Sequence, residues 1–226
     1  MTYEVQAMVR VPVEGASLPG QLTIPTGAGA VVLFAHGAGS NHLSERNRFM
    51  ARVLNQHGFG TLLFDLLTKM EDVDYANRFN IPLLTDRLLA ATAYLDTQVA
   101  TAERPFGYFG SSTGAASALR AAARLPRRIL AVVSRGGRAD LAGDSLSEVR
   151  AATLLIVGQL DEDLLTLNQE ALEGLPGPKR LVEIESATHL FEEPGTLGEV
   201  AAEASRWFRQ YLLPVSHPIR LRNVAR

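Results

Sequence analysis

The sequence predicts an α/β fold: a mostly parallel sheet of about eight strands, opened by an antiparallel N-terminal pair and covered by helices on both faces. Three observations lead there. The first apolar stretch alternates in the manner of a half-buried strand, six later segments are short and apolar on both faces, and helical stretches lie among those six.

Residues 3 to 11 put Tyr3, Val5, Ala7, Val9 and Val11 on one face, and after a Gly/Ser/Pro break a second run extends from Leu18 to Ile24. These two form the expected antiparallel pair. The buried runs are Val31 to Ala35, Thr61 to Phe64, Phe106 to Phe109, Ile129 to Val133, Thr153 to Val157 and Arg180 to Ile184. Helices are expected at Glu45 to His57, Ile81 to Thr97, Thr113 to Arg124, Leu164 to Leu175 and Leu197 to Leu212. In the last of these, Leu197, Val200, Ala201, Ala204, Trp207, Phe208, Tyr211 and Leu212 make one stripe at helical spacing, and Thr196 with Glu199 reads as its capping box.

With 226 residues and no linker or repeat, residues 1–213 read as a single domain. Residues 214–226 read as a basic C-terminal tail carrying Arg220, Arg222 and Arg226, a loosely held terminus with an oligomer contact or a recognition role as alternatives. A homodimer stays open. A formal net charge of −2 supplies no footprint for nucleic acid, and the absence of cysteine excludes thiol catalysis, disulfides and cysteine-ligated metal. Met1 to Val5 lacks the start of a secretory signal and no run approaches the length of a membrane span, so a soluble, cytoplasmic protein without a membrane or nucleic-acid partner is expected. Neither a cofactor nor a metal is expected.

The chemistry concentrates at Phe109-Gly110-Ser111-Ser112-Thr113-Gly114, where G-x-S-x-G is centred on Ser112 between an apolar strand and an Ala-rich helix. Such a strand-to-helix turn presents a serine oxygen as a nucleophile and leaves room only for small neighbours. Ser111 is the adjacent rival, but glycine flanks it on neither side at the second position. A serine needs a base and the base needs an acid to hold its tautomer. Of five histidines, His189 follows the last strand and precedes the last helix, whereas His57 ends a helix, His42 lies in a polar loop and His217 is in the tail. Asp161 follows the strand Thr153 to Val157 through Gly158-Gln159-Leu160, with Glu162 and Asp163 as competitors. Ser112, Asp161 and His189 are therefore the candidate catalytic residues.

An acyl-transfer intermediate needs amide donors for its oxyanion. Thr113, at the amino end of its helix, and Ala38, in His36-Gly37-Ala38-Gly39-Ser40, are the candidates, with His36 holding that turn by hydrogen bonding. No lysine follows this glycine-rich loop and His42 stands where a third glycine would be needed, so nucleotide binding is rejected. In Ser134-Arg135-Gly136-Gly137-Arg138-Ala139-Asp140, Arg135 and Arg138 either bind a substrate carboxylate or pair with Asp140, Asp144 or nearby acids; Arg46 is a third substrate-binding candidate. Only Ser134 to Ala152 lies between the sixth and seventh strands, too little for a helical cap, so an open site for a small soluble substrate is expected.

Taken together, His36 to Ser40, Gly110 to Gly114, Gly158 to Asp161 and Ala187-Thr188-His189-Leu190-Phe191 resemble the dienelactone hydrolase family of α/β-hydrolases, over about residues 18–213. More narrowly, Ser134 to Arg138 and His189 to Gly195 are similar to small hydrolases sometimes fused to a phosphoribosyltransferase, a domain not found in these residues. Dienelactone hydrolases proper use a cysteine nucleophile where this chain has Ser112, so the resemblance implies hydrolysis of an ester, lactone or related acyl bond without carrying over their substrate. A serine at the turn disfavours the dehalogenases and epoxide hydrolases, which use aspartate there; a thioesterase or peptidase stays open. The alternative from another class is a non-catalytic binding or assembly protein that keeps the fold.

Overall fold

The computed structural model describes residues 1–213. Eight strands form one sheet: β1 (Tyr3–Val13), β2 (Ala16–Pro25), β3 (Ala30–Ala35), β4 (Phe59–Phe64), β5 (Phe106–Ser111), β6 (Ile129–Arg135), β7 (Ala152–Gly158) and β8 (Lys179–Ile184). Their spatial order is β1-β2-β4-β3-β5-β6-β7-β8. β2 runs antiparallel to both β1 and β4, and every pairing from β4 to β8 is parallel. Five helices, α1 (Glu45–Gln56), α2 (Ile81–Asp96), α3 (Thr113–Arg124), α4 (Glu162–Glu173) and α5 (Thr196–Leu212), lie among the strands.

Alternation along each strand sorts side chains into two cores. Val31, Leu33 and Tyr108 face α2 and α3, whereas Val32, Phe34 and Phe109 face α1 and α5. α5 docks through its apolar stripe and through Trp207, whose indole N–H donates to the Ala152 carbonyl at 3.0 Å. Fully burying such large apolar groups contributes about 1.5–3 kcal/mol each.

The site follows from the strand order. From β3 the chain turns to β4 on one side and later returns to β5 on the other, so the loops leaving β3 and β5 diverge and open a crevice at the carboxyl edge of the parallel strands. The loops after β6, β7 and β8 emerge along the same edge.

Three sequence expectations are corrected. The capping box is absent: Gly195, in the left-handed region at φ 90°, caps α5, and the Thr196 hydroxyl donates back to the Glu193 carbonyl at 2.8 Å. The last strand is not apolar on both faces. β8 is an edge strand with Lys179, Arg180 and Glu183 exposed, because a strand with one neighbour has less of its surface covered. Short 3₁₀ segments at Glu71–Val73, Tyr75–Phe79 and Ala139–Glu148 stand where loops were read. The basic tail and His217 lie outside the described residues. Among the described residues no helix is long and apolar enough to cross a membrane.

Candidate active site

β5 ends at Ser111 and α3 begins at Thr113, so Ser112 alone turns the chain from strand to helix. It does so at φ 49° and ψ −125°, a conformation that costs a non-glycine residue on the order of 1–3 kcal/mol. The turn is held by its carbonyl, which accepts the Ala115 N–H at 3.1 Å and the Arg138 N–H at 3.0 Å. Close packing accounts for the flanking glycines. A β-carbon on Gly110 would stand 2.5 Å from Ala115 Cα, and one on Gly114 2.1 Å from the Ala35 carbonyl oxygen. Ser111, by contrast, is a buried strand residue paired with Arg135 in the ladder.

Asp161 occupies the N-cap of α4, where a carboxylate ordinarily accepts from its own helix. It makes no such bond; its Oδ2 accepts the Nδ1 proton of His189 at 2.7 Å instead. Glu162 and Asp163 are exposed in the first turn of α4. The two loops are joined by backbone bonds of 2.9 Å, from Gln159 N–H to the Ile184 carbonyl and from Leu160 N–H to the Ala187 carbonyl.

The histidine loop is conformationally demanding. Ser186 (φ 57°) and Phe191 (φ 55°) are, with Ser112, the non-glycine residues at positive φ among the described residues. Strain thus collects where the candidate nucleophile and base are mounted. Phe191 is buried, and Glu193 Oε1 accepts both the N–H (3.1 Å) and the hydroxyl (2.5 Å) of Thr188. Those bonds, the hydroxyl first, lower the carboxyl pKa of Glu193. Ser112 and His189 line one cavity of about 130 Å³ with Gly37, Ala38, Arg46 and Arg135, but no Ser112–His189 hydrogen bond is formed among the described residues.

In the loop after β3, His36 donates from Nδ1 to the Gly37 carbonyl (3.0 Å) and accepts the Leu66 N–H at Nε2 (2.9 Å). Burial lowers its pKa, and both nitrogens are engaged in holding the turn. The Ala38 N–H donates to Thr113 Oγ1 at 3.1 Å, so one candidate oxyanion donor is held by the side chain of the other. The Thr113 N–H is in the first turn of α3, where amides have no partner within the helix. Sequence reasoning missed His42, whose backbone N–H and Nδ1–H both reach Asp65 Oδ1, at 2.8 and 2.7 Å, and tie the loop to the end of β4.

The three arginines part company. Arg138 forks onto Asp140 at 2.8 and 2.7 Å and is not in the cavity wall; the ion-pair reading is the one its geometry supports. Arg46 lines the cavity and pairs with Glu192 at 2.7 Å. Arg135 lines it too and is 8% exposed.

No family model matches the chain. A dienelactone hydrolase from Anabaena variabilis, known by crystal structure, is 50% identical, covers 94% of this chain and 100% of its own length, and superposes with a TM-score of 0.90. The chain belongs to the dienelactone hydrolase family of α/β-hydrolases. Est1E from Butyrivibrio proteoclasticus (15% identity, 90% of this chain and 98% of its own, TM-score 0.78) and the Pyrococcus furiosus esterase Pf2001 (18% identity, 92% and 93%, TM-score 0.74) share the fold.

Two curated Mycobacterium tuberculosis proteins, one from each of two strains and both provisionally named phosphoribosyl transferases, are each 53% identical over 204 residues. This dienelactone hydrolase family member matches them over 90% of its own chain but spans only 46% of their length.

Proposed function

We propose that this dienelactone hydrolase family member is a serine hydrolase that cleaves a small carboxylic ester or lactone through an acyl-enzyme intermediate. The observation that carries the reading is the Asp161–His189 hydrogen bond beside Ser112, at the wall of a single cavity. With Nδ1–H directed to Asp161, the other ring nitrogen, Nε2, is left as the acceptor a general base needs.

In the first half-reaction His189 Nε2 takes the Ser112 proton as Oγ bonds to the carbonyl carbon. The oxyanion is received by the Thr113 N–H and by the Ala38 N–H, which exchanges Thr113 Oγ1 for substrate. Loss of one such donor typically costs about a hundredfold or more in rate. Collapse breaks the ester C–O bond, and the imidazolium returns its proton to the leaving alkoxide. Water, deprotonated by His189, then attacks the acyl-enzyme and releases the acid and Ser112 Oγ–H. Asp161 stabilises the imidazolium in both halves. The missing Ser112–His189 bond is expected to form with substrate present, since such bonds are often long in unliganded enzymes.

A cavity of about 130 Å³ and the short β6–β7 connection favour a small substrate. The transferase name of the curated relatives belongs to proteins of which this chain spans only 46%, and this cavity suits acyl transfer better.

The reading is tested by labelling the purified protein with a fluorophosphonate and mapping the adduct by mass, with Ser112→Ala and His189→Ala as controls. One adduct on Ser112 that depends on His189 is expected. No adduct, or one elsewhere, would favour the non-catalytic binding protein instead.

A further inference from the structure

We infer that His42 and Asp65 form a positioning pair for the oxyanion hole: they hold the Ala38 N–H in place once an oxyanion has displaced Thr113 Oγ1. The inference deepens the serine hydrolase reading and rests on it.

The loop that joins β3 to α1 has little in its own sequence to fix it. It carries Gly37 and Gly39, the latter at φ 71°, and glycine leaves the backbone free to take up other conformations. Beyond His36 its internal hydrogen bonds are local: Ser40 N–H to the Gly37 carbonyl (3.1 Å), Ser44 N–H to the Asn41 carbonyl (3.1 Å) and Leu43 N–H to Asn41 Oδ1 (2.9 Å). They shape turns without tying the loop to the body of the protein. Arg78 packs beside Gly39, but its own hydrogen bonds go to Asp72.

Among the described residues, three ties run from this loop to segments other than α1. His36 Nε2 accepts the Leu66 N–H at 2.9 Å near its start, and the Ala38 N–H donates to Thr113 Oγ1 at 3.1 Å in its middle. Near its end the His42 N–H and Nδ1–H both donate to Asp65 Oδ1, at 2.8 and 2.7 Å. A carboxylate only accepts, so Nδ1 carries the proton. Asp65 and Leu66 are consecutive, and the Asp65 N–H donates to the Pro19 carbonyl at 3.0 Å, so both outer ties are mounted on the end of β4 where it is held to β2. The His42 and Asp65 side chains are only 11% and 20% exposed. A pair this sheltered loses more on being broken than an open surface pair does.

The middle tie is the one the reaction gives up. In the unliganded protein Thr113 Oγ1 accepts the Ala38 N–H; during acyl transfer the oxyanion must take that donor, and the hydroxyl no longer holds the loop. The stretch from Gly37 to Asn41 then stands between the two outer ties, and without His42–Asp65 it would run free to Ser44, the N-cap of α1. Oxyanion donors act through preorganisation, so a loop that drifts loses transition-state stabilisation while ester binding is kept. Neither His42 nor Asp65 lines the cavity with Ser112, so their effect reaches the substrate through the Ala38 amide.

The test is steady-state hydrolysis of p-nitrophenyl acetate, with inhibition by a trifluoromethyl ketone whose adduct on Ser112 places an oxyanion in the same hole. Both half-reactions use that hole, so they slow together. Asp65→Ala, which removes both bonds, is expected to lower kcat by about tenfold to a hundredfold with KM within about threefold, and to raise Ki for the ketone in proportion to the loss in kcat/KM. His42→Ala keeps the backbone N–H bond and should lose about threefold to tenfold in kcat. Asp65→Asn, whose Oδ1 still accepts both protons, should recover most of the rate. Asn55→Ala is the control for stability alone. The Asn55 amide donates to the Phe59 carbonyl at 2.9 Å and to Thr61 Oγ1 at 3.1 Å, away from the loop, so Tm should fall with kcat nearly unchanged.

A loss confined to KM, a ketone Ki that does not move, an Asp65→Asn enzyme as slow as Asp65→Ala, or a fall in kcat matched by Asn55→Ala at equal loss of Tm would overturn the role of the pair. Should Asp65→Ala fail to fold, His42→Ala and Asp65→Asn carry the same comparisons. A wild type that hydrolyses the ester no faster than Asp65→Ala removes this role alone. A wild type that gives neither turnover nor a Ser112 adduct removes the hydrolase reading and the role with it.

Discussion

Asp161 Oδ2 accepts the Nδ1 proton of His189 at 2.7 Å, and the carboxylate makes this bond instead of capping the helix it begins. An asparagine at this position would still fit the loop, but its amide N–H₂ could donate to Nδ1 and favour the tautomer with the proton on Nε2. Asp161→Asn is therefore expected to lower kcat for a p-nitrophenyl ester by about 10³–10⁴-fold. Asparagine is itself a good N-cap, so Tm should stay level or rise. Esterase kinetics alongside a thermal melt check both halves.

His36 links stability to pH. Its folded pKa is depressed by burial, so its contribution is complete above the ordinary histidine value of about 6.5 and is lost as pH falls below it, where the unfolded chain binds a proton that the native ring resists. The slope from one such group reaches about 1.4 kcal/mol per pH unit. His36→Gln, which retains an acceptor for the Leu66 N–H, should flatten that part of the decline. Urea titrations at pH 7, 6 and 5 on both proteins give the comparison; parallel declines would rule it out.

Two glycines should behave oppositely. A β-carbon on Gly114 meets the Ala35 and His36 carbonyl oxygens at 2.1 and 2.5 Å, backbone that cannot step aside cheaply. Gly114→Ala is expected to cost about 3 kcal/mol or to abolish folding. Gly198, exposed in α5 with nothing within 4 Å, should tolerate Gly198→Ala with a gain of up to about 1 kcal/mol. Denaturant midpoints distinguish the two.

Thr188 matters for the positioning of His189. Both its N–H and its hydroxyl donate to Glu193, at the surface, so little stability hangs on the hydroxyl bond. Thr188→Val should leave Tm within about 2 °C but lower kcat by about threefold to tenfold, because small misplacements of a catalytic group are expensive in rate. An unchanged kcat would show that the loop holds His189 without this contact.

Much of this was legible in one dimension. Of the six runs read as apolar on both faces, five are buried almost throughout, and β8 misled because an edge strand and a central one carry similar apolar residues. The capping box at Thr196 misled because the choice of Gly195 as the cap depends on how the preceding loop arrives. Ser112 was legible because its turn is so short that its sterics dictate the glycines on either side. His42–Asp65 was not, since 23 residues and a β-strand separate the partners.

By itself the sequence determined the order of strands and helices, the Ser112 turn, and the positions of Asp161 and His189 after their strands. Those features depend on backbone preferences and packing within a few residues. Only the tertiary structure decided the partners of the charged groups: Arg138 to Asp140, Arg46 to Glu192, and Arg135 to the cavity. Such choices depend on where separate loops meet at the sheet edge and, for Arg135, on which face of β6 its side chain leaves. Neither is written in the spacing of Arg135 and Arg138.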